Sequence, residues 1–262
     1  MKRNLLLSVL ISFLILQPIT GRAFVPQTPH LIHLVVQKIK EPVGLEVHQT
    51  KTIHQSDLSD RGETDPEEMG AFRERLIYRY PDRLRKEITA GPFSGLSVTS
   101  GSDFITVIND ETVSRARSEA DLYTDILLYR NIDGLQARLA SNGVDVNTVT
   151  IQRYQDMICY VIGRPKGKDE PFAGLWIDKE TFLPVRYVIK KNDRVVESLY
   201  SDWQKVSRTW YPMQVSIFSD NQPVSVMDVN KIELKLQFSP SLFDVRRIER
   251  RYPARPVSPV SG

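Results

Sequence analysis

Cysteine is almost absent: Cys159 stands alone among 262 residues. An internal disulfide is therefore excluded, and no cysteine follows the N-terminal apolar segment to carry a lipid. Histidine is scarce and confined to one end, at His30, His33, His48 and His54. No histidine lies near Cys159 in the chain to act as its base. Cys159 alternates with Met157 and Val161, and it reads as a small core residue rather than a nucleophile. The four histidines lack the cysteine or HExxH framing of a zinc site, so no metal is expected. The glycine-rich loop that cradles phosphate is missing too. Gly91, Gly95 and Gly101 are spaced like hairpin turns. The acidic stretch at 57–68 does not follow the ligand order of a calcium loop. Asp178 and Glu180 flank a turn, which is the reading preferred over paired acid–base carboxylates. No catalytic residue and no cofactor is expected, and the chain reads as a non-enzyme.

Charge of one sign is also lacking where it would matter. The net charge of +3 comes from the two ends. Lys2, Arg3 and Arg22 lie in the first segment, and five arginines follow Val245 against the single Glu249. The body between them is net negative, which gives no electrostatic ground for nucleic acid as a partner.

What is present begins with a targeting segment. Lys2 and Arg3 precede an apolar run at 5–16, too short for a membrane span, and Gly21-Arg22-Ala23 supplies small residues for a peptidase. The expectation is a signal peptide at 1–23, cleaved before Phe24, and export from the cytoplasm. One domain is expected over 24–245. Residues 246–262, rich in Arg and Pro without an apolar period, read as a disordered basic tail.

Within the domain, Thr28-Pro29 reads as a helix N-cap and first-turn proline, with Leu31, Leu34, Val35 and Ile39 at helical spacing. A strand follows at 44–55, then a polar loop at 55–70. Phe72, Leu76 and Tyr78 alternate with arginines. Pro81-Asp82 turns the chain into a strand carrying Leu84, and Leu96, Val98 and Phe104 mark two more. The period then changes. Leu122 and Ile126 fall at helical spacing, and Asp133 reads as the cap of a second short helix ended by Asn142-Gly143. Strands resume to the end: Trp176; Val185, Tyr187 and Ile189; Val215 and Ile217. Short strands joined by Asx-rich turns make an antiparallel meander, about eleven strands in all, in a mainly β protein with helices (α+β).

Three stretches carry a family resemblance. They are Tyr78-Arg79-Tyr80-Pro81-Asp82-Arg83-Leu84-Arg85, the hairpin from Leu175 to Tyr187 with its Leu183-Pro184-Val185-Arg186, and the ending Phe238-Ser239-Pro240-Ser241-Leu242-Phe243. Together with the element order they resemble the LolA/LolB-like superfamily of periplasmic lipoprotein carriers, whose fold the N-terminal domain of RseB-type stress sensors shares. The resemblance implies an incomplete antiparallel β-barrel with helices over its concave face, enclosing an apolar cavity. It implies a monomeric carrier or chaperone in outer-membrane lipoprotein sorting, binding a lipid or the acyl chain of a lipoprotein. Alternatively, it implies a sensor that meets a membrane-protein partner in the envelope. The apolar residues expected to line the cavity are Phe72, Leu76, Tyr78, Leu84, Leu96, Val98, Phe104, Leu122, Ile126, Trp176, Val185, Tyr187, Ile189, Val215 and Ile217. The sequence departs from LolA at Tyr80, where LolA has an arginine before the hairpin proline that helps to hold the helices down. It departs from LolB in having no lipid-bearing cysteine.

Overall fold

The computed structural model describes residues 25–40, 43–54, 71–165, 167, 170–191, 194–235 and 237–254. The expected signal peptide, the loop at 55–70 and residues 255–262 of the expected tail lie outside the described residues.

Thirteen strands form one antiparallel sheet. They are β1 (Gly44–Ile53), β2 (Phe72–Arg79), β3 (Arg83–Ala90), β4 (Phe93–Ser100), β5 (Asp103–Ile108), β6 (Glu111–Ser114), β7 (Val149–Tyr154), β8 (Met157–Ile162), β9 (Gly174–Asp178), β10 (Pro184–Lys191), β11 (Arg194–Val206), β12 (Thr209–Ser219) and β13 (Gln222–Leu234). The helices are α1 (Thr28–Ile39), α2 (Thr124–Leu128), α3 (Ile132–Ser141) and α4 (Val245–Arg251). Within the run β1 to β6 consecutive strands pair, and so do consecutive strands within the run β7 to β13. The last strand then pairs with the first, Leu45 opposite Leu234. The two meanders thus fuse into one sheet that stays open, with β6 and β7 as its edges. This is an incomplete barrel. The strand count exceeds the expected eleven partly through β6, a four-residue strand after the Asn109-Asp110 turn that is too short to show a period.

The chain leaves one sheet edge at β6 and re-enters at the other at β7, and α2 and α3 lie on that connection. The link therefore crosses the concave side. α1 joins it, packed against α3 and β12. One core results on this side, with Leu31, Val35, Ile126 and Leu135 of the helices in the same cluster as Leu76, Tyr187 and Val215 of the sheet. An amphipathic helical layer on one face of an antiparallel sheet is the expected solution for strands with one apolar face.

Three expectations need correction. The N-cap of α1 is Gln27, with Thr28 buried inside the first turn. The cap of α3 is Asn131, whose side chain accepts from the Gly134 amide at 2.6 Å, and Asp133 sits within the helix. The expected disordered tail begins as α4. Asp244 caps it by accepting from the Arg247 amide at 2.9 Å. Val245 and Ile248, three apart on one helix face, bury against Ile77, Val98, Ile105 and Val107 on the convex side of the sheet. Two apolar residues among arginines are too few to announce a helix, and the sheet supplies the rest of the reason.

Candidate functional site

The sheet's concave face brings most of the expected cavity residues together. Leu76 and Tyr78 of β2, Leu84 of β3, Tyr187 and Ile189 of β10, and Val215 and Ile217 of β12 share one buried cluster with Leu122 and Ile126 from the helical connection. Phe104 is buried at the rim beside them. Phe72 lies near the far end of β2, edge-on to Phe93 with ring centres 5.8 Å apart.

Four of the expected lining residues face the other way. Leu96 and Val98 lie on the convex side under α4. Val98 pairs with Arg85 and Ile105, while Thr99 occupies the concave side and pairs with Phe104. Alternation shows that one face of β4 is apolar, but α4 decides that this face is the outer one. Trp176 and Val185 join Cys159 and Val188 in a separate outer cluster. Trp176 faces out by plain alternation in β9, between the inward Leu175 and Ile177, whereas for Val185 the cause is a register shift in β10 between Pro184 and Arg186. A bulge inserts one residue and reverses the facing of what precedes it, so Val185 parts from Tyr187 and Ile189. Arg186 points outward with Trp176, its guanidinium 4.5 Å from the indole centre and paired with Glu197 at 2.6 Å.

The underside of the helical layer is apolar but tied to the sheet by polar groups that periodicity did not single out. The Tyr200 hydroxyl donates to the Tyr123 carbonyl at 2.8 Å. Gln49 donates to Glu74 at 2.6 Å and to the Tyr123 hydroxyl at 3.3 Å. Tyr78 and Tyr211 meet hydroxyl to hydroxyl at 3.2 Å. Burial pushes the Tyr211 phenol up to about 12, with the Tyr78 hydrogen bond working in the opposite sense. Lys86 of β3 forms an ion pair with Asp121 before α2. Burial opposes both charges, yet their mutual attraction keeps Lys86 above and Asp121 below its ordinary value.

At Tyr80 the departure from LolA has a structural answer. Arg130, between α2 and α3, lays its guanidinium 3.7 Å from the Tyr80 ring centre. Its Nε donates to the Leu127 carbonyl at 3.0 Å, and a terminal nitrogen donates to Thr209 Oγ1 at 3.3 Å. Thr209 in turn donates to the carbonyl of Ile39 at 3.1 Å, at the end of α1. The cation that joins helices and sheet here comes from the helices.

Above this core, at one rim of the half-barrel, lies a partly open cleft of about 550 Å³. Its walls are the β4–β5 turn, the segment after β6, the ends of α2 and α3, and the end of β10. Arg115, Arg117, Arg138, Lys190 and Lys191 line it, and Asp103 is the one carboxylate among the described residues that do. Fully buried Asp125 holds this layer in place: it pairs with Arg117 and with Arg138 Nε at 2.8 Å, and accepts from Asn142 at 2.9 Å. Asn142 also donates to the Tyr187 hydroxyl at 2.8 Å.

Other candidates dissolve into structure. His30 and His33 are exposed on α1, and His48 lies on β1 against Glu46 at 3.1 Å. No group of three metal-ligating residues occurs among the described residues. Asp178 closes a turn by accepting from the Thr181 amide at 3.1 Å. Burial raises the Cys159 thiol to about 11. No helix among the described residues is long and apolar enough to cross a membrane.

No family model and no curated protein matches this sequence. Solved structures do match. A LolA superfamily protein from Nitrosomonas europaea superposes with a TM-score of 0.54 at 12% identity, over 85% of this chain and 99% of that one. A domain assigned to outer membrane lipoprotein sorting, from Vibrio parahaemolyticus, gives 0.56 at 8% identity, over 85% and 98%. A DUF1329 family protein from Desulfovibrio piger gives 0.52 at 12% identity, over 85% and 100%. At such identities the likeness is one of architecture, and it extends over nearly the whole length of each relative. The chain has the LolA-like fold.

Proposed function

We propose that this is an exported, non-enzymatic binding protein that holds a lipid or the acyl chains of a lipoprotein between its sheet and its helical layer, as a carrier in the cell envelope. The observation that carries the reading is the helical layer itself. α1, α2 and α3 close the concave face of an open sheet with an apolar underside, and discrete polar links fasten them to it. A site of this kind needs no catalytic group. In the closed state the interior is filled by its own side chains, with Leu76 and Tyr78 fully buried. A ligand therefore enters by displacing helices. Its own burial, at about 25 cal/mol per Å² of apolar surface, replaces the packing between helices and sheet.

The test is uptake of a fluorescent fatty-acyl probe by the purified protein and by Leu76→Trp. The larger ring occupies the space under the helices, and overpacking costs about 1–3 kcal/mol of stability. The expected result is saturable uptake by the wild type and loss of uptake in a variant that remains folded. A wild type that binds no acyl probe overturns the proposal.

A further inference from the structure

Resting on the carrier reading, we infer that the ligand is an anionic amphiphile, and that the rim cleft is the site for its phosphate-class head group. Two observations meet there. The first is charge. Of the five described cations lining the cleft, Arg115 is engaged by Glu249, Lys190 lies 4.0 Å from Glu170, and Arg117 is taken up by Asp125, Thr124 and the Asp121 carbonyl. Arg138 commits only its Nε to Asp125, and its two terminal nitrogens donate to no described residue. Lys191 has no ion-pair partner among the described residues either. Arg138 is thus held by a buried carboxylate with its outer donors unengaged among the described residues, a preorganised arrangement for phosphate oxygens. Lys191, at the end of β10, adds a second cation to the same cleft.

The second observation is continuity. Leu122 and Ile189 line the same cleft and belong to the core cluster beneath the helices. Phe104, also buried, completes that wall. A molecule whose head sits against Arg138 and Lys191 has its chain attached at the point where the polar cleft gives way to the apolar interior. The volume, about 550 Å³, lies within the usual range for small-molecule sites and holds a glycerophosphate-sized head. A neutral head group there leaves the cations unanswered, so the cleft discriminates between lipids that the interior treats alike.

The experiment compares three fluorescent or competing probes on the full protein: a labelled phosphatidylglycerol, a labelled diacylglycerol with the same chains, and glycerol phosphate as a competitor without chains. The expected result is phosphatidylglycerol bound about tenfold more tightly than diacylglycerol. That ratio should fall as salt rises from about 0.05 M to about 0.5 M, because exposed charges are screened. It should approach one in Arg138→Gln and in Lys191→Gln. Arg138 also steadies Asp125, so the Lys191 variant, whose side chain makes no hydrogen bond or ion pair among the described residues, separates head-group recognition from folding. Equal affinity for the two lipids overturns this inference and leaves the carrier reading standing. Binding of neither lipid overturns both. Glycerol phosphate binding as tightly as the lipid overturns the lipid assignment and marks a site for the free anion.

Discussion

Single residues decide how this fold responds to pH and to thiol reagents. Glu46 of β1 is nearly buried, yet Arg75, Lys235 and His48 converge on it. Burial alone would raise its carboxyl. The hydrogen bonds and charges of Arg75 and Lys235 outweigh that and bring it down from 4.5 to about 2. A carboxyl lowered on folding stabilises the folded state above its unfolded pKa, and that contribution disappears as pH falls through the folded value. Glu46 should therefore contribute on the order of 2 kcal/mol at neutral pH, allowing for the solvent that reaches both partners, and lose it between about pH 4.5 and pH 2. Acid unfolding of Glu46→Gln should show a flatter dependence over that window; an unaltered slope would assign the acid sensitivity elsewhere. Cys159 gives a second check. Its thiol is fully buried and raised by that burial, so a disulfide reagent at pH 8 should label it only in denaturant. Cys159 as a core residue was legible from its alternation with Met157 and Val161. The pairing of Arg130 with Tyr80 was not, because nothing in the spacing of two residues fifty apart announces a contact between the helical layer and the sheet.

At the scale of elements, most strands and the two-helix interruption follow from a change of period in the sequence. What the pattern could not supply was which side of each strand faces in. Leu96 and Val98 face α4, and Val185 faces outward because of the shift at 184–186. Sidedness is set by partners far away in the chain and by bulges, neither of which leaves a periodic trace. α4 is the sharpest case, since its composition resembles a solvated tail while Ile248 is only 6% exposed. Ile248→Ala should cost about 2–4 kcal/mol in denaturant unfolding, as deletion of a buried branched side chain does. Arg246→Ala and Arg250→Ala, on less buried positions of the same helix, should shift stability by less than about 0.5 kcal/mol. Equal effects at all three positions would mean that α4 is not held by its apolar face.

For the molecule as a whole, the question is whether the helical layer opens as a unit before the sheet melts. The sheet is one continuous ladder of thirteen strands, whereas α1, α2 and α3 are short and meet it through side chains. Short helices draw their stability from packing, so the layer belongs to the part of the structure that opens at lower free energy. Thr209 is placed to test this. Its hydroxyl donates to Ile39 at the end of α1 and accepts from Arg130 beside α2, so one oxygen ties two helices to β12. Thr209→Val keeps the shape and removes both links. Each hydrogen bond is worth about 1 kcal/mol, and the one from the guanidinium somewhat more, so local opening should become about tenfold more frequent or greater. Hydrogen exchange measured by mass spectrometry should then show faster exchange in peptides from α1 to α3, with the central strands β1, β2 and β13 protected as in the wild type. If opening admits ligand, acyl-probe uptake should accelerate in the same variant. Exchange that rises equally in helices and central strands would mean that the layer and the sheet unfold together, and that a ligand reaches the interior by another route.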